Sequence, residues 1–285
     1  MVNLNSNKLV ILSGATGFIG SSLLKKLEKH YENILLVGQE NKTINNKFLQ
    51  CTPENLKIHL MGTEKEIYFY HLATHYSKDI KEKNKIFQAN VTFGRKIVTE
   101  LKKYNLVKII YTNTMFTFYP QTKDYFYTVT KNQFSEIINN EFDLKNIISE
   151  IYLDNTFGIG DNRDKILNLI AKAAMKNDKS PILQKDTYLN LCFVEDVTNC
   201  LIKELKKVNT VSRITSSFDY NLDSIYKFLS NFHQEGIASH EIILKKKSSL
   251  ASNEKIPSLN QDFKETNFNE NLLKFYGAFN SPAPS

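Results

Sequence analysis

Hydrophobic and polar positions recur along this chain with two different periods. Short apolar runs, the pattern of buried strands, occupy 8–12, 34–37, 57–61, 67–72, 107–111 and 147–153. Segments with apolar residues at helical spacing lie at 18–30, 84–104, 127–140 and 162–177. Strands that alternate with helices form a parallel sheet with helices on both faces. The pattern therefore predicts an α/β protein built on a Rossmann-type doubly wound parallel sheet.

The alternation weakens after about residue 180, and the tail from 245 is polar and poorly periodic. Shorter apolar pieces and helical segments take turns there, at 189–194, 195–206, 211–215, 222–233 and 242–244. We therefore predict a Rossmann domain over 1–178 and a smaller mixed α/β lobe over 179–285 that binds the substrate. The lobe is expected to interleave with the main sheet near 189–215.

A glycine-rich turn directly follows the first strand. Gly14, Gly17 and Gly20 have the spacing G-x-x-G-x-x-G, and the helical segment 18–30 begins within it. Because glycine has no Cβ, the backbone can approach a pyrophosphate closely, and the amino end of the following helix attracts that anion. This strand–turn–helix context predicts a dinucleotide-binding βαβ unit. The alternative is a structural tight turn in another kind of α/β protein.

Composition narrows the choice of partners. The 285 residues are 41% hydrophobic, enough for a core, and carry a net charge of +7. The lysines are dispersed, and arginine, the usual donor in base recognition, is confined to Arg95, Arg163 and Arg213. We therefore expect solvated lysine-rich surfaces and an anionic small substrate, not a nucleic acid. No stretch is long and apolar enough for a membrane, and the three cysteines lack metal-ligand spacing, so we expect a cytoplasmic protein without a metal.

Tyr127 and Lys131 are the main candidates for catalytic residues. A tyrosine and a lysine four residues apart share one helix face, so the lysine charge can lower the pKa of such a tyrosine and make it an acid or base near neutral pH. Tyr104 and Tyr119 are also followed by lysine at this spacing. Tyr119 precedes a proline and Tyr104 ends a helix, whereas Tyr127 opens a long helical segment. Tyr127 is therefore favoured, the alternative being an ordinary surface or core tyrosine.

Thr114 ends the strand that precedes this helix. Open α/β sheets bind ligands at the carboxyl ends of their strands, so its hydroxyl can hydrogen-bond the same reacting oxygen as Tyr127. The alternative is an ordinary turn threonine.

Together these features resemble the extended short-chain dehydrogenases/reductases, the NAD-dependent epimerase/dehydratase family. The resemblance covers residues 8 to about 230 and is carried by Gly14-x-x-Gly17-x-x-Gly20, Tyr70-His71-Leu72-Ala73, Asn90-Val91, Thr112-Asn113-Thr114, Tyr127-x-x-x-Lys131, Phe157-Gly158-Ile159-Gly160-Asp161 and Phe193-Val194-Glu195-Asp196-Val197. Within the family, HLATHYSK, YTNTMF and YTVTKNQFSEI are most similar to CDP-abequose and CDP-paratose synthases, which reduce a 4-keto sugar nucleotide.

The resemblance implies a role for each matching position. Catalytic residues would be Thr114, Tyr127 and Lys131. Cofactor contacts would come from Gly14, Thr16, Gly17, Phe18, Ile19, Gly20, Gly38, Leu72, Ala73, Thr74, Asn90, Tyr127 and Lys131. Substrate contacts would come from His75, Thr114, Met115 and Asn155. Tyr127 would exchange a proton with the sugar oxygen that Thr114 holds, and Lys131 would bind the nicotinamide ribose.

Departures from the family pattern narrow the expected reaction. The 4,6-dehydratases carry an acidic pair directly after the catalytic threonine, but Met115 and Phe116 stand there, so we do not expect water elimination. Two arginines that the family often uses, natural partners of a diphosphate, are replaced by Tyr152 and Leu189. Lys185 and Arg163 are the candidate substitutes.

The choice of cofactor depends on the end of the second strand. NAD enzymes usually carry a carboxylate there for the ribose hydroxyls, but Gly38 occupies this position. Without that carboxylate a 2′-phosphate is tolerated, and Lys42 can neutralise it, so we predict NADP(H) in preference to NAD(H). Glu40 reverses the preference if the strand end lies two residues later.

The combined expectation is a cytoplasmic, homodimeric reductase of a 4-keto deoxysugar nucleotide that serves surface polysaccharide synthesis. An alternative within the family is a nucleotide-sugar 4-epimerase that keeps NAD tightly bound. An alternative of another class is a non-catalytic dinucleotide-binding sensor, against which the intact set of Thr114, Tyr127 and Lys131 argues.

Overall fold

The computed structural model describes residues 6–141, 144–182, 184–246 and 256–280. Its strands are β1 (Lys8–Ser13), β2 (Ile34–Val37), β3 (Lys42–Ile44), β4 (Phe48–Cys51), β5 (Glu66–His71), β6 (Leu106–Thr114), β7 (Ile148–Leu153), β8 (Asn155–Phe157), β9 (Tyr188–Phe193), β10 (Thr210–Ile214), β11 (Phe218–Asn221), β12 (Leu244–Lys246) and β13 (Ser258–Leu259). Its α-helices are α1 (Phe18–Leu27), α2 (Leu56–Leu60), α3 (Lys83–Phe87), α4 (Phe93–Leu101), α5 (Phe126–Glu141), α6 (Ile166–Met175), α7 (Val194–Lys203), α8 (Leu222–Glu235) and α9 (Phe268–Asn280).

Within the described residues, a large, mostly parallel sheet of nine strands confirms the predicted fold class. Its strand order is β13-β10-β7-β6-β5-β1-β2-β4-β3, with parallel pairing from β4 through β2, β1, β5 and β6 to β7. In this register Ser13 and His71, the last residues of β1 and β5, lie beside Tyr111, three residues before the end of β6. The segments that follow these three strands therefore meet at one edge, where open α/β sheets bind ligands.

Contacts between residues divide the chain into two compact units. The first comprises the described parts of Met1–Leu153, Thr198–Arg213 and Leu250–Asp262, and the second those of Asp154–Val197, Ile214–Ser249 and Phe263–Ser285. The predicted division at residue 178 stays a prediction about how the chain is organised into domains. The second unit contains a smaller sheet in the order β12-β11-β9-β8.

Each unit has an apolar core of its own. In the first, strand residues such as Ile11 and Phe69 pack against Ile97 of α4 and Phe134 of α5, all without solvent exposure. In the second, α6, α8 and α9 pack their apolar faces together. The buried strands are continuous apolar runs because helices cover both faces of a parallel sheet.

The structure differs from the elements expected from the sequence at three places. The segment 57–61 is not a strand: α2 buries Leu56 and Leu60 one helical turn apart and leaves Ile58 60% exposed. The sheet instead uses β4, which the sequence analysis missed because its four residues include a buried polar Gln50. The polar tail contains α9, whose apolar residues Phe268, Leu272, Phe275, Tyr276 and Phe279 have a helical spacing that the sequence analysis overlooked.

The predicted helix over 84–104 is interrupted. A π-helical stretch, Gln88–Thr92, separates α3 from α4. Such stretches frequently occur at functional sites, and this one carries Asn90.

Candidate active site

The glycine turn after β1 is lined by backbone atoms and has no room for side chains at two of its glycines. Gly14 has a φ of +77°, and a Cβ added there would lie 2.6 Å from the Ala73 backbone nitrogen. A Cβ on Gly20 would collide with the Gly14 carbonyl oxygen. Gly17 occupies the cap position of α1 and brings no side chain to cap the helix, so backbone amides of the first turn are left to meet an anion. Thr16 and Gly17 are exposed at this turn, and Phe18 and Ile19 open the helix.

The segment after β5 packs directly on this turn. The Leu72 N–H donates to the Ser13 carbonyl oxygen at 3.1 Å, and Ala73 is the backbone that Gly14 approaches. Leu72 is buried, whereas Ala73 is half-buried. The structure therefore brings the predicted cofactor positions from β1 and β5 together at one sheet edge.

Asn90 ties the segment after β5 to helix α5. Its Oδ1 accepts from the Thr74 hydroxyl at 2.9 Å and from the His75 N–H at 2.8 Å. Its Nδ2 donates to the His75 carbonyl oxygen at 3.2 Å and to the Thr130 hydroxyl at 3.0 Å. Asn90 is 1% exposed, so its amide serves the protein itself and sets the position of Thr74 and His75.

Thr114, Tyr127 and Lys131 all belong to the first unit. Thr114 ends β6 and is 6% exposed, Tyr127 is half-buried in the first turn of α5, and Lys131 follows one turn later with 3% exposure. The ring of Phe116, two residues after Thr114, is 6.3 Å from the Tyr127 ring. The segment after β6 therefore contacts the start of α5, beside the strand end that carries Thr114.

Burial sets the charge state of Lys131. Desolvation lowers its pKa to about 8, while the negative charge of Glu150 on β7 opposes that shift. An ammonium held in the interior exerts a stronger field than one in water. Lys131 is thus a buried cation, partly balanced by the charge of Glu150, one helical turn after Tyr127.

Aromatic rings surround Tyr127. The Tyr76 ring lies edge-on at 5.0 Å from the Tyr127 ring, and Phe116 lies within 6.4 Å of Tyr76, Tyr125 and Tyr127. Met115, predicted to contact substrate, has no exposed surface. The residues directly after Thr114 thus present an aromatic wall with no carboxylate.

The predicted substrate residue Asn155 lies in the second unit. Its Nδ2 donates to Asp154 Oδ1 at 3.1 Å and to the Asn190 carbonyl oxygen at 3.2 Å. Arg163, one candidate substitute for the family's arginines, forms two hydrogen bonds to Asp161 at 2.6 and 2.7 Å and a third to the Thr156 carbonyl oxygen at 2.8 Å. This engagement makes Arg163 a poor donor to a diphosphate.

The end of β2 lies where the sequence analysis expects it, but the groups around it already have partners. β2 ends at Val37, and Gly38 follows it, but the Gln50 side chain covers the space that a Cβ on Gly38 would need. Lys42 pairs with Glu40 at the surface. The lysine expected to neutralise a 2′-phosphate is therefore already beside a carboxylate.

The described residues also bear on membrane and metal binding. None of their helices is long and apolar enough to cross a membrane. No group of three or more His, Cys, Asp or Glu in the described part of the chain is arranged to hold a metal ion. The cysteines Cys51, Cys192 and Cys200 are buried and free of disulfides.

Sequence reasoning missed several residues that shape the site. Glu150 and Asn113 form a buried hydrogen bond beneath α5, and Tyr76 stands against Tyr127. Glu150 had a usable signal, since it is a charge inside the otherwise apolar run 147–153. Tyr76 had none, because only the folded chain brings it to Tyr127.

Comparison with known proteins gives one matching family and several similar folds. The model of the "NAD dependent epimerase/dehydratase family" matches residues 10–221. No curated protein matches the chain. Among solved structures, the UDP-glucose 4-epimerase of Thermotoga maritima with UDP-glucose is 16% identical, with a TM-score of 0.72 over 95% of this chain and 98% of that one. The UDP-glucuronic acid 4-epimerase of Bacillus cereus in complex with NAD is 17% identical, with a TM-score of 0.73 over 95% and 96%.

A third solved structure, the Bordetella bronchiseptica enzyme WbmG in complex with NAD and UDP, is 13% identical, with a TM-score of 0.71 over 95% of this chain and 94% of that one. At these identities the likeness establishes a shared fold.

Proposed function

The chain belongs to the NAD dependent epimerase/dehydratase family, and on that premise we propose that it oxidises or reduces a nucleotide sugar at a ring carbon. Thr114, Tyr127 and Lys131 are the proposed catalytic residues. The observation that carries the proposal is the buried Lys131 ammonium one helical turn after Tyr127, next to the strand end that bears Thr114.

The residues present fit a nicotinamide dinucleotide. Gly14, Gly17 and Gly20 leave the space that a pyrophosphate needs, and the uncapped amino end of α1 supplies amides to bind it. Ala73 and Thr74 border the same edge. When bound there, the cofactor supplies hydride transfer, and the protein supplies position and a proton.

The protein's own contribution is proton transfer. Tyr127 exchanges a proton with the reacting sugar oxygen, and the Lys131 charge stabilises the tyrosinate that forms. Thr114 hydrogen-bonds the same oxygen and fixes its direction. The rings of Tyr76 and Phe116 pack edge-on against the Tyr127 ring and fix its orientation.

Two finer activities are compatible with this machinery. The first is reduction of a 4-keto deoxysugar nucleotide for surface polysaccharide synthesis, which the resemblance to CDP-abequose and CDP-paratose synthases implies. The second is 4-epimerisation, which is favoured because two of the similar solved structures are 4-epimerases of UDP-sugars. Dehydration is disfavoured, because Met115 and Phe116 offer no acid or base for the elimination of water.

Two cofactors, NADP(H) and NAD(H), are candidates for this site. The sequence predicts NADP(H) because Gly38 replaces a carboxylate, but Lys42, the expected partner of a 2′-phosphate, already forms an ion pair with Glu40. We propose that this pair lets the protein accept NAD(H), and that the similar enzymes solved with NAD are the better guide.

One experiment separates these possibilities. Purified protein is assayed for bound nucleotide, then incubated either with UDP-glucose alone or with a 4-keto-6-deoxy sugar nucleotide and NADH or NADPH. Retained NAD with inversion at C4 identifies the epimerase, whereas cofactor oxidation that depends on the keto sugar identifies the reductase. Dinucleotide binding without turnover of either substrate would favour the non-catalytic sensor and contradict the proposal.

A further inference from the structure

Glu150 is a buried carboxylate that the proposed chemistry does not use. It lies in the middle of β7 with 5% exposure, and Ile148, Ile151 and Leu153 of the same strand are apolar. A carboxylate in such surroundings is costly unless it has hydrogen bonds and an opposite charge. Its partners therefore indicate what it does.

The hydrogen bonds of Glu150 lead to the strand end that carries Thr114. Asn113 Nδ2 donates to Glu150 Oε1 at 2.7 Å, and Asn113 Oδ1 accepts from the Thr114 N–H at 2.8 Å. Asn132 Oδ1 on α5 accepts from Asn113 Nδ2 at 3.3 Å and from the Thr117 hydroxyl at 3.0 Å. Glu150 thus holds the amide of Asn113, and that amide holds the backbone that presents Thr114.

Strand register places Glu150 beneath the helix face that carries Lys131. Glu150 is opposite Tyr111 on β6, and the Tyr111 hydroxyl donates to Ser135 Oγ on α5 at 2.9 Å. Ser135 follows Lys131 by four residues, so both side chains lie on the same face of α5. Lys131 and Glu150 are therefore buried in one layer between α5 and the sheet.

We propose that Glu150 is a positioning residue of this site. Its carboxylate is the counter-charge that keeps Lys131 protonated in the interior, and through Asn113 it fixes Thr114. Without it the lysine would face desolvation alone and release its proton at lower pH. A neutral lysine could not stabilise a tyrosinate at Tyr127. This catalytic consequence rests on the proposed function, whereas the charge pairing does not.

The other ionisable groups around Lys131 do not supply that negative charge. Burial lowers the pKa of His71 on β5 to about 3, helped by the Lys131 charge, so His71 is neutral at working pH. Burial raises the pKa of Tyr111 on β6 well above its ordinary value, and the Glu150 charge adds to this, so Tyr111 is neutral too. Tyr127, on α5 itself, is the proposed proton carrier. Among the described residues, the Glu150 carboxylate is the negative charge that raises the pKa of Lys131 against the effect of burial.

A double-mutant cycle on the full chain tests the pairing without any substrate. Urea unfolding at pH 7 is compared for the wild type, Glu150→Gln, Lys131→Met and the double variant. Each single variant leaves one buried charge without its partner. The double variant should therefore lose less unfolding free energy than the sum of the losses in the two single variants. Strictly additive losses would overturn the proposal, and the same comparison remains informative if Glu150→Gln alone folds poorly.

The matched control removes an exposed carboxylate from α5, the helix that carries Lys131. Glu136 lies on the exposed face of α5, so Glu136→Gln should combine additively with Lys131→Met. Coupling as large in this control as in the Glu150 cycle would also contradict the proposal, because it would show that any nearby charge suffices.

The pH profile of turnover tests the catalytic consequence. With whichever sugar nucleotide proves to be a substrate, the alkaline limb of kcat/KM in Glu150→Gln should lie about one pH unit below that of the wild type, while Glu136→Gln leaves it in place. An unmoved limb would refute the role of Glu150 in tuning Lys131. Absence of turnover with every substrate would instead refute the proposed function and leave the stability cycle to decide the pairing.

Discussion

Replacement of Gly14 by alanine tests why glycine stands at the turn after β1, and Gly62 provides a matched control. Both glycines have left-handed backbones, with φ of +77° and +75°. They differ in surroundings: a Cβ on Gly14 would meet the Ala73 nitrogen at 2.6 Å and the Leu72 carbonyl carbon at 2.7 Å, whereas nothing lies within 4 Å of one on Gly62. The pair therefore separates backbone strain from close approach.

The two contributions have different expected sizes. A left-handed conformation disfavours an alanine by about 1–2 kcal/mol, which applies to both variants. The colliding atoms at Gly14 are backbone atoms that cannot rotate away, and overpacking of this kind costs about 1–3 kcal/mol more. We therefore expect Gly62→Ala to lose about 1–2 kcal/mol of unfolding free energy and Gly14→Ala about 2–5 kcal/mol.

Urea denaturation of both variants measures these losses, and fluorescence titration with NADH and NADPH measures binding. Gly14→Ala should also weaken dinucleotide binding, since the new methyl group forces the turn after β1 away from the segment after β5. Gly62→Ala should bind normally. If the two variants lost equal stability, close packing at Gly14 would not be the reason for glycine there, and normal binding by Gly14→Ala would refute its place in the cofactor cradle.

Three further predictions test single parts of the site. Tyr127→Phe keeps the ring that packs at 5.0 Å against Tyr76 but removes the hydroxyl, so turnover should fall about 10²–10⁴-fold while dinucleotide binding persists; comparable turnover would exclude Tyr127 as the proton carrier. Glu40→Gln releases Lys42 from its ion pair, so the ratio of NADPH to NADH affinity should rise, and an unchanged ratio would show that this pair does not contact the ribose. Burial lowers the pKa of Lys131 from 10.5 to about 8, so between these values the unfolded chain binds more protons than the folded one and stability from this group increases with pH. Urea unfolding from pH 7 to 10 should therefore show a steeper rise in the wild type than in Lys131→Met, and parallel curves would contradict the pKa shift.

Much of the fold and part of the site could be predicted from the sequence. In these segments the local pattern of apolar residues and glycines matches the position that the segment takes in the folded protein. The turn at Gly14, Gly17 and Gly20 sits between a strand and a helix as predicted, and Tyr127 lies in the first turn of a long helix. The prediction of a strand over 57–61 was wrong because the local pattern did not match the position of the segment in the folded protein. Its apolar content suited a strand, but burial of Leu56 and Leu60 alone suits a helix, and burial is decided by the rest of the protein.

The environment of the reactive residues could not be predicted in the same way. Asn90 makes its hydrogen bonds to Thr74, His75 and Thr130, whose separations of 15 to 40 residues leave no local pattern. Glu40 and Lys42 are only two residues apart in the sequence, yet only the course of the chain after β2 shows that they form an ion pair.

The sequence by itself determined the α/β class, the glycine turn and the Tyr127–Lys131 spacing, because each depends on neighbours within a few residues and on their period. Only the tertiary structure decided that Lys131 is buried, that Glu150 shares its layer and that aromatic rings surround Tyr127. Those features arise where strands β5, β6 and β7 pass beneath α5, and the free energy of a buried charge depends on everything packed around it.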